Sequence, residues 1–181
     1  MLPSPPLSAL RRASTVVPML RNTPDHPVAF LDHPGILAFA HRGGAGDWPE
    51  NTMPAFRHAV ELGYRYLETD VHATADGVVV AFHDDSLDRV TDRRGRIADL
   101  AWKEVALARV AGQEPVPLLT ELLEEFPETR INIDPKHGSV VEPLANALLA
   151  TNAVERVCVG AFSDRRLARM RELLGPGLCT S

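Results

Sequence analysis

Hydrophobic and polar positions along this chain switch repeatedly between two periods. Ile36-Leu37-Ala38-Phe39-Ala40 is a short apolar run ending in His41-Arg42-Gly43-Gly44, which reads as a buried strand entering a glycine loop. The period then lengthens. Met53, Phe56 and Val60 recur at helical spacing, with Thr52 as N-cap, Pro54 in the first turn and Gly63 as the stop. Tyr66 to Ala73 and Val78 to His83 predict two strands joined across Ala75-Asp76-Gly77, where the glycine takes a conformation other residues resist. Helices are expected over about Ala101 to Arg109 and Leu118 to Phe126. Arg130 to Asp134 reads as another strand, and Ser139 and Glu142 have capping-box spacing before the stripe Val141, Leu144, Leu148. Arg156 to Phe162 predicts a further strand. Ser163 or Asp164 then caps a helix carrying Leu167, Met170 and Leu174, and Gly175-Pro176-Gly177 ends it before a last strand begins at Leu178.

Strand followed by helix, repeated, implies an α/β protein with a largely parallel sheet, either doubly wound or closed as a barrel. The polar residues discriminate between these. His41, Glu68, Asp70, His83 and Asp134 come late in four successive strands, and a (β/α)8 barrel is the fold in which many strand ends converge on one site. A doubly wound sheet gathers its ligand groups at a single switch point instead. The expectation is therefore a TIM-type (β/α)8 barrel, here incomplete, with about five to six strand–helix units. Residues 1–34 are expected to be a poorly ordered N-terminal extension, and residues 35–181 the barrel domain.

Composition narrows the classes further. With 19 Lys and Arg against 24 Asp and Glu, a formal charge of −5 disfavours sequence-independent nucleic-acid binding, which needs a basic face to release counterions. The two cysteines, Cys158 and Cys179, are read as free thiols rather than a disulfide framework. The densest apolar run, Val78 to Phe82, is far shorter than the roughly 20 residues a membrane helix needs. Arg11-Arg12 and the absence of acids before Asp25 raise the question of a targeting segment. Pro18 interrupts the apolar residues that would form its core, so a cytoplasmic location is expected.

Glu68 and Asp70 stand two apart in a strand and project from one face. Two close carboxylates are tolerated when one is protonated or when a cation lies between them, and oxygen-only ligation suits Mg2+ or Ca2+. Asp134 is a candidate third carboxylate. A solvated strand end with ordinary surface acids has the same spacing. His41 and His83 each follow an apolar strand, and imidazole transfers protons in both directions near neutral pH. His72 shares the face of Asp70 and is held in reserve. Arg42 and Lys136 are cations suited to a phosphate oxygen, although isolated basic residues are usually surface groups. Glu50 either lines the same mouth or interacts with a helix N-terminus.

Taken in order, His41-Arg42-Gly43, Pro49-Glu50-Asn51-Thr52, Glu68-x-Asp70-Val71, Asp76-Gly77, His83-Asp84 and Asn132-Ile133-Asp134-Pro135-Lys136 resemble the glycerophosphodiester phosphodiesterase family. The resemblance implies a TIM-type barrel and metal-dependent hydrolysis of glycerophosphodiesters to glycerol 3-phosphate and an alcohol, in phospholipid turnover. It puts His41 and His83 in acid and base roles, Glu68, Asp70 and Asp134 on one Mg2+ or Ca2+ ion, and Arg42 and Lys136 near the phosphate. Asp134 departs from the glutamate of many members but keeps their oxygen chemistry. The later strands of such barrels have no counterpart after Ser181, so the chain resembles a C-terminally truncated member. Two other readings share these residues: a phospholipase D-like hydrolase of lysophospholipid or sphingolipid headgroups, and an inactive phosphate-binding remnant.

Overall fold

The computed structural model describes residues 29–181. In chain order it contains β1 (Phe39–Ala40), α1 (Met53–Glu61), β2 (Tyr66–Ala73), β3 (Val79–Ala81), α2 (Trp102–Val105), β4 (Arg109–Val110) and β5 (Glu114–Pro115). These are followed by α3 (Leu119–Glu125), β6 (Arg130–Pro135), α4 (Val141–Ala150), β7 (Val157–Val159), α5 (Asp164–Leu174) and β8 (Cys179–Thr180). The strands β1, β2, β6, β7 and β8 lie side by side and all pair in parallel. The short β3 turns back antiparallel on the far end of β2. Among the described residues β1 and β8 are the open edges of this arc.

Period-two alternation explains how the arc is filled. In β6 the burial alternates residue by residue, with Ile131 and Ile133 completely buried and Arg130, Asn132 and Asp134 partly exposed. The apolar set of each strand faces the helices. Leu67, Val71, Ile131, Ile133, Val157 and Val159 form one cluster with Phe56 of α1, Leu122 of α3, Leu144 and Leu148 of α4, and Met170 of α5. The opposite, concave face has an apolar floor of Phe30, Tyr66, Cys158 and Cys179. There the Tyr66 hydroxyl donates to the Phe30 carbonyl at 2.8 Å, and Arg130 donates to the Tyr66 hydroxyl at 3.1 Å. Of the extension expected over 1–34, residues 1–28 lie outside the described residues, whereas Phe30 packs into this floor. Both cysteines are free and buried, paired in register on β7 and β8, and burial pushes the Cys158 thiol up to about 12.

Between β2 and α3 the chain leaves the arc and builds a small lobe with its own core of Val80, Phe82, Leu87, Ile97, Val105, Ala108, Val110 and Val116. This corrects the helix expected from Ala101 to Arg109, since only Trp102–Val105 is α-helical and Arg109 opens a two-residue strand. The Arg109 guanidinium donates to the carbonyls of Ala106 and Ala108, and its backbone N–H donates to Asp92, so the chain turns there instead of continuing a helix. Two other expectations change. Ile36 to Leu37 remain unpaired because β1 meets β2 only at Tyr66 and Leu67, and Ile36 is exposed. Ser139 sits in a 3-10 turn whose N–H is taken by the His137 ring, so the expected capping box with Glu142 does not form. By contrast Thr52 caps α1 and Ser163 caps α5, as the spacing predicts.

Candidate active site

The polar residues of the concave face gather at the carboxyl ends of the parallel strands because the register places them there. Glu68 lies opposite Asn132, and Asp70 opposite Asp134. His41 opens a single 3-10 turn directly after β1, and Arg42 within it has φ 52°, a strained value for a residue with a side chain. The strain has a visible return: the Arg42 backbone N–H donates to Glu68 Oε2 at 2.9 Å. Gly43 follows at φ 79°, and a Cβ there would stand 2.9 Å from the Phe56 ring. Glycine is therefore what lets the His41 turn sit on α1.

Asn51, also at positive φ, closes the loop by donating from its backbone to the Arg42 carbonyl at 2.9 Å. Its side chain donates to Asp70 Oδ2 at 3.2 Å while accepting from Thr69 at 2.8 Å. Asp70 is almost completely buried and takes its countercharge from Lys136, whose Nζ lies 2.6 Å from Asp70 Oδ1 and 2.7 Å from Asp134 Oδ2. Arg42 Nη1 bonds Glu50 Oε2 at 3.2 Å, and its buried Nε, 3.4 Å from Asp70 Oδ2, forms no hydrogen bond. His41 Nε2 is 3.8 Å from Glu68 Oε2.

His83 arrives from the lobe. Its Nδ1 lies 2.7 Å from Asp84 Oδ1, and since a carboxylate only accepts, Nδ1 carries the proton and Nε2 is the free nitrogen of the neutral ring. His72, the reserve candidate, is buried with its Nε2 donating to the His83 carbonyl at 3.1 Å, so it supports the loop from below. Burial holds its ring below the ordinary imidazole range.

His41, Arg42, Glu68, Asp70, His83, Asp134 and Lys136 thus line one open cleft of about 590 Å3. Glu50 stands behind Arg42. Burial pushes the Glu68 carboxyl above its ordinary range. For Glu50 the effect of burial is outweighed by Arg89 and Arg42, which hold it low. For Lys136 the same opposition ends with Asp134 and Asp70 holding the ammonium above its usual value. Sequence reasoning did not pick out Asn132, whose buried Oδ1 has no hydrogen-bond partner, or Phe162, fully exposed at the cleft rim. Asn132 had a signal, since it stands two before Asp134 on the same face. Phe162 had none.

Oxygen donors dominate the cleft, which is the set a hard divalent ion takes. Three carboxylates, Glu68, Asp70 and Asp134, line the cleft against two permanent cations, Arg42 and Lys136. The surplus negative charge and the unpartnered Asn132 oxygen both fit a cation. Among the described residues no three acidic, imidazole or thiol side chains converge on one point; Lys136 lies between Asp70 and Asp134.

The model of the glycerophosphoryl diester phosphodiesterase family matches residues 41–174. A probable glycerophosphodiester phosphodiesterase 2 of Mycobacterium tuberculosis is 42% identical over 155 residues, covering 85% of this chain and 59% of its own length. A lysophospholipase D of Homo sapiens is 44% identical over 110 residues, 54% of this chain and 35% of its own. Among solved structures, a glycerophosphodiester phosphodiesterase from Agrobacterium tumefaciens superposes with a TM-score of 0.73 at 25% identity, over 78% of this chain and 64% of that one. A phosphodiesterase from Oleispira antarctica, solved with the product sn-glycerol-3-phosphate, gives 0.67 at 27% identity, over 75% and 61%. The chain thus spans about 59% of the length of the Mycobacterium relative, and its arc is part of a TIM-type barrel.

Proposed function

This chain belongs to the glycerophosphoryl diester phosphodiesterase family, and from that premise we propose that it hydrolyses glycerophosphodiesters to glycerol 3-phosphate and an alcohol, within phospholipid turnover. The observation that carries the proposal is the pair His41 and His83 in one cleft with Arg42, Lys136 and three strand-end carboxylates. Arg42 and Lys136 would hold the phosphate oxygens, and both lie within reach of Asp70. Glu68, Asp70 and Asp134 would hold one Mg2+ or Ca2+ ion once Lys136 Nζ turns from between the two aspartates towards the phosphate. Bound there, the ion would offset the charge that builds on the phosphate oxygens in the transition state.

Proton transfer falls to the histidines. With Nδ1 committed to Asp84, His83 has Nε2 free to take a proton from the attacking hydroxyl. His41, whose Nε2 lies 3.8 Å from Glu68 Oε2, would give a proton to the departing alcohol oxygen. The bond formed is O–P to the nucleophile and the bond broken is P–O to the alcohol. When the nucleophile is the neighbouring glycerol hydroxyl, the product is a cyclic phosphate that water opens with the two rings exchanging roles. Phe162 favours one second reading: an exposed aromatic at the rim is suited to an acyl chain, as in a lysophospholipase D.

The test is release of glycerol 3-phosphate from glycerophosphocholine by the purified chain with Mg2+, with Ca2+ and with excess chelator. Metal-dependent release that disappears in Glu68→Ala supports the proposal. A folded chain that releases nothing overturns it, and preference for lysophosphatidylcholine selects the second reading. Cellular location follows the same logic: among the described residues no helix is long and apolar enough to cross a membrane, and a cytoplasmic site of action is part of the proposal.

A further inference from the structure

Resting on that reading, we infer that Arg89 is a positioning residue that locks the proposed base His83 and the phosphate-binding Arg42 into one alignment. Its guanidinium reaches two carboxylates from different parts of the chain. Nε bonds Asp84 Oδ2 at 2.6 Å, while Nη2 bonds Asp84 Oδ1 at 3.0 Å and Glu50 Oε1 at 2.5 Å. Each carboxylate passes the contact on. The Asp84 oxygen that meets Nη2 is also the partner of His83 Nδ1 at 2.7 Å, and the other oxygen of Glu50 accepts from Arg42 Nη1 at 3.2 Å. With Asp70 and Lys136 beyond Arg42, the mouth carries one unbroken alternation: His83, Asp84, Arg89, Glu50, Arg42, Asp70, Lys136, Asp134.

An isolated surface ion pair contributes little, because two long side chains lose freedom for a screened attraction. Arg89 differs on two counts. The contact with Asp84 is a two-pronged fork, the geometry that fixes orientation as well as distance. Its backbone is also anchored, since Leu87 is buried in the lobe core and Thr91 N–H closes a turn on the Leu87 carbonyl at 3.1 Å. The lobe therefore presents Arg89 from a fixed base. Because the side chain is itself half exposed, its removal opens no cavity, and the variant is expected to fold.

The experiment compares wild type, Arg89→Ala and Arg89→Lys by ring 15N NMR, with the His83 signal assigned by its loss in His83→Gln, and by steady-state kinetics on glycerophosphocholine. Wild type is expected to show a single Nδ1–H tautomer of His83, and Arg89→Ala a mixture of tautomers. Turnover in Arg89→Ala should fall roughly 10- to 100-fold, the scale of a misaligned catalytic group. Asp84→Asn should reproduce the kcat loss, and Glu50→Gln a rise in KM. Arg89→Lys keeps the charge but cannot span both carboxylates, so it should recover little, whereas added guanidinium should rescue Arg89→Ala. Arg96→Ala, which removes an exposed arginine of the same lobe paired with Asp85, should change nothing. An unchanged tautomer in Arg89→Ala, or turnover within about twofold of wild type, overturns the inference. If no chain hydrolyses the substrate yet the tautomer is lost with Arg89, the proposed function fails and the positioning role stands.

Discussion

The arc and the lobe place their chemistry by different means. In the arc, Glu68, Asp70 and Asp134 are fixed by strand register, which the backbone hydrogen bonds of β2 and β6 enforce over six residue pairs. The backbone leading to His83 is likewise tied to the arc, by the pairing of β3 with β2 and the Phe82 N–H bond to the Asp70 carbonyl, but the ring of His83 is oriented by side-chain bonds to Asp84 and, through it, Arg89. Backbone pairing sets a side chain's position whatever its neighbours are. An ion network does so only while every member is charged and present.

Four tests break or sharpen this contrast. The largest effect is expected from His83→Ala, which should lower turnover by roughly 10²- to 10⁴-fold if the ring transfers a proton; a folded variant with near-normal turnover would remove His83 from that role. Next is a matched pair of core truncations, Leu87→Ala in the lobe and Ile133→Ala in the arc, each removing a buried aliphatic group at about 2–5 kcal/mol. Hydrogen exchange should show Leu87→Ala loosening only the lobe while turnover falls. Ile133→Ala should lower the melting temperature of the arc and leave turnover per folded molecule intact. Equal loosening of both regions by either variant would show that the lobe is no separate unit.

Glu68→Gln comes third. Because burial disfavours the ionised carboxyl, the neutral isostere should raise the melting temperature at pH 7, while abolishing metal-dependent turnover. A lowered melting temperature would mean that the bond from the Arg42 N–H outweighs burial. The smallest effect is the pH dependence of Asp84, held at about 2 chiefly by Arg89. A carboxyl lowered on folding contributes stability above its unfolded value, near about 4, and loses it as pH falls through the folded one. The stability difference between wild type and Asp84→Asn should therefore be constant above about pH 5 and vanish between about pH 4 and 2. A difference persisting below that window would not be electrostatic.

Much of the arc was legible because its signals are local. β2 runs from Tyr66 to Ala73 as its alternation predicts, and Thr52 and Ser163 cap helices through bonds only three residues long. The site residues carried by strand ends were legible for the same reason, since i and i+2 in a strand share a face. What stayed hidden depends on distance along the chain. Arg89 meets Glu50 across 39 positions, and nothing in Leu87-Asp88-Arg89-Val90 announces that partner. The length of β1 was hidden too, because it is set by where β2 starts rather than by the apolar run itself.

Gly43 has a historical consequence. A side chain at this position collides with Phe56, the residue against which the His41 turn rests, so the two sites cannot vary independently. A lineage enlarging residue 43 must shrink residue 56 and also relax the positive φ of the turn, and while residue 56 alone is small α1 carries a hole in its core. The order of the steps is thus imposed by geometry, and a chimera of relatives that takes residue 43 from one parent and residue 56 from another can fail although each parent succeeds.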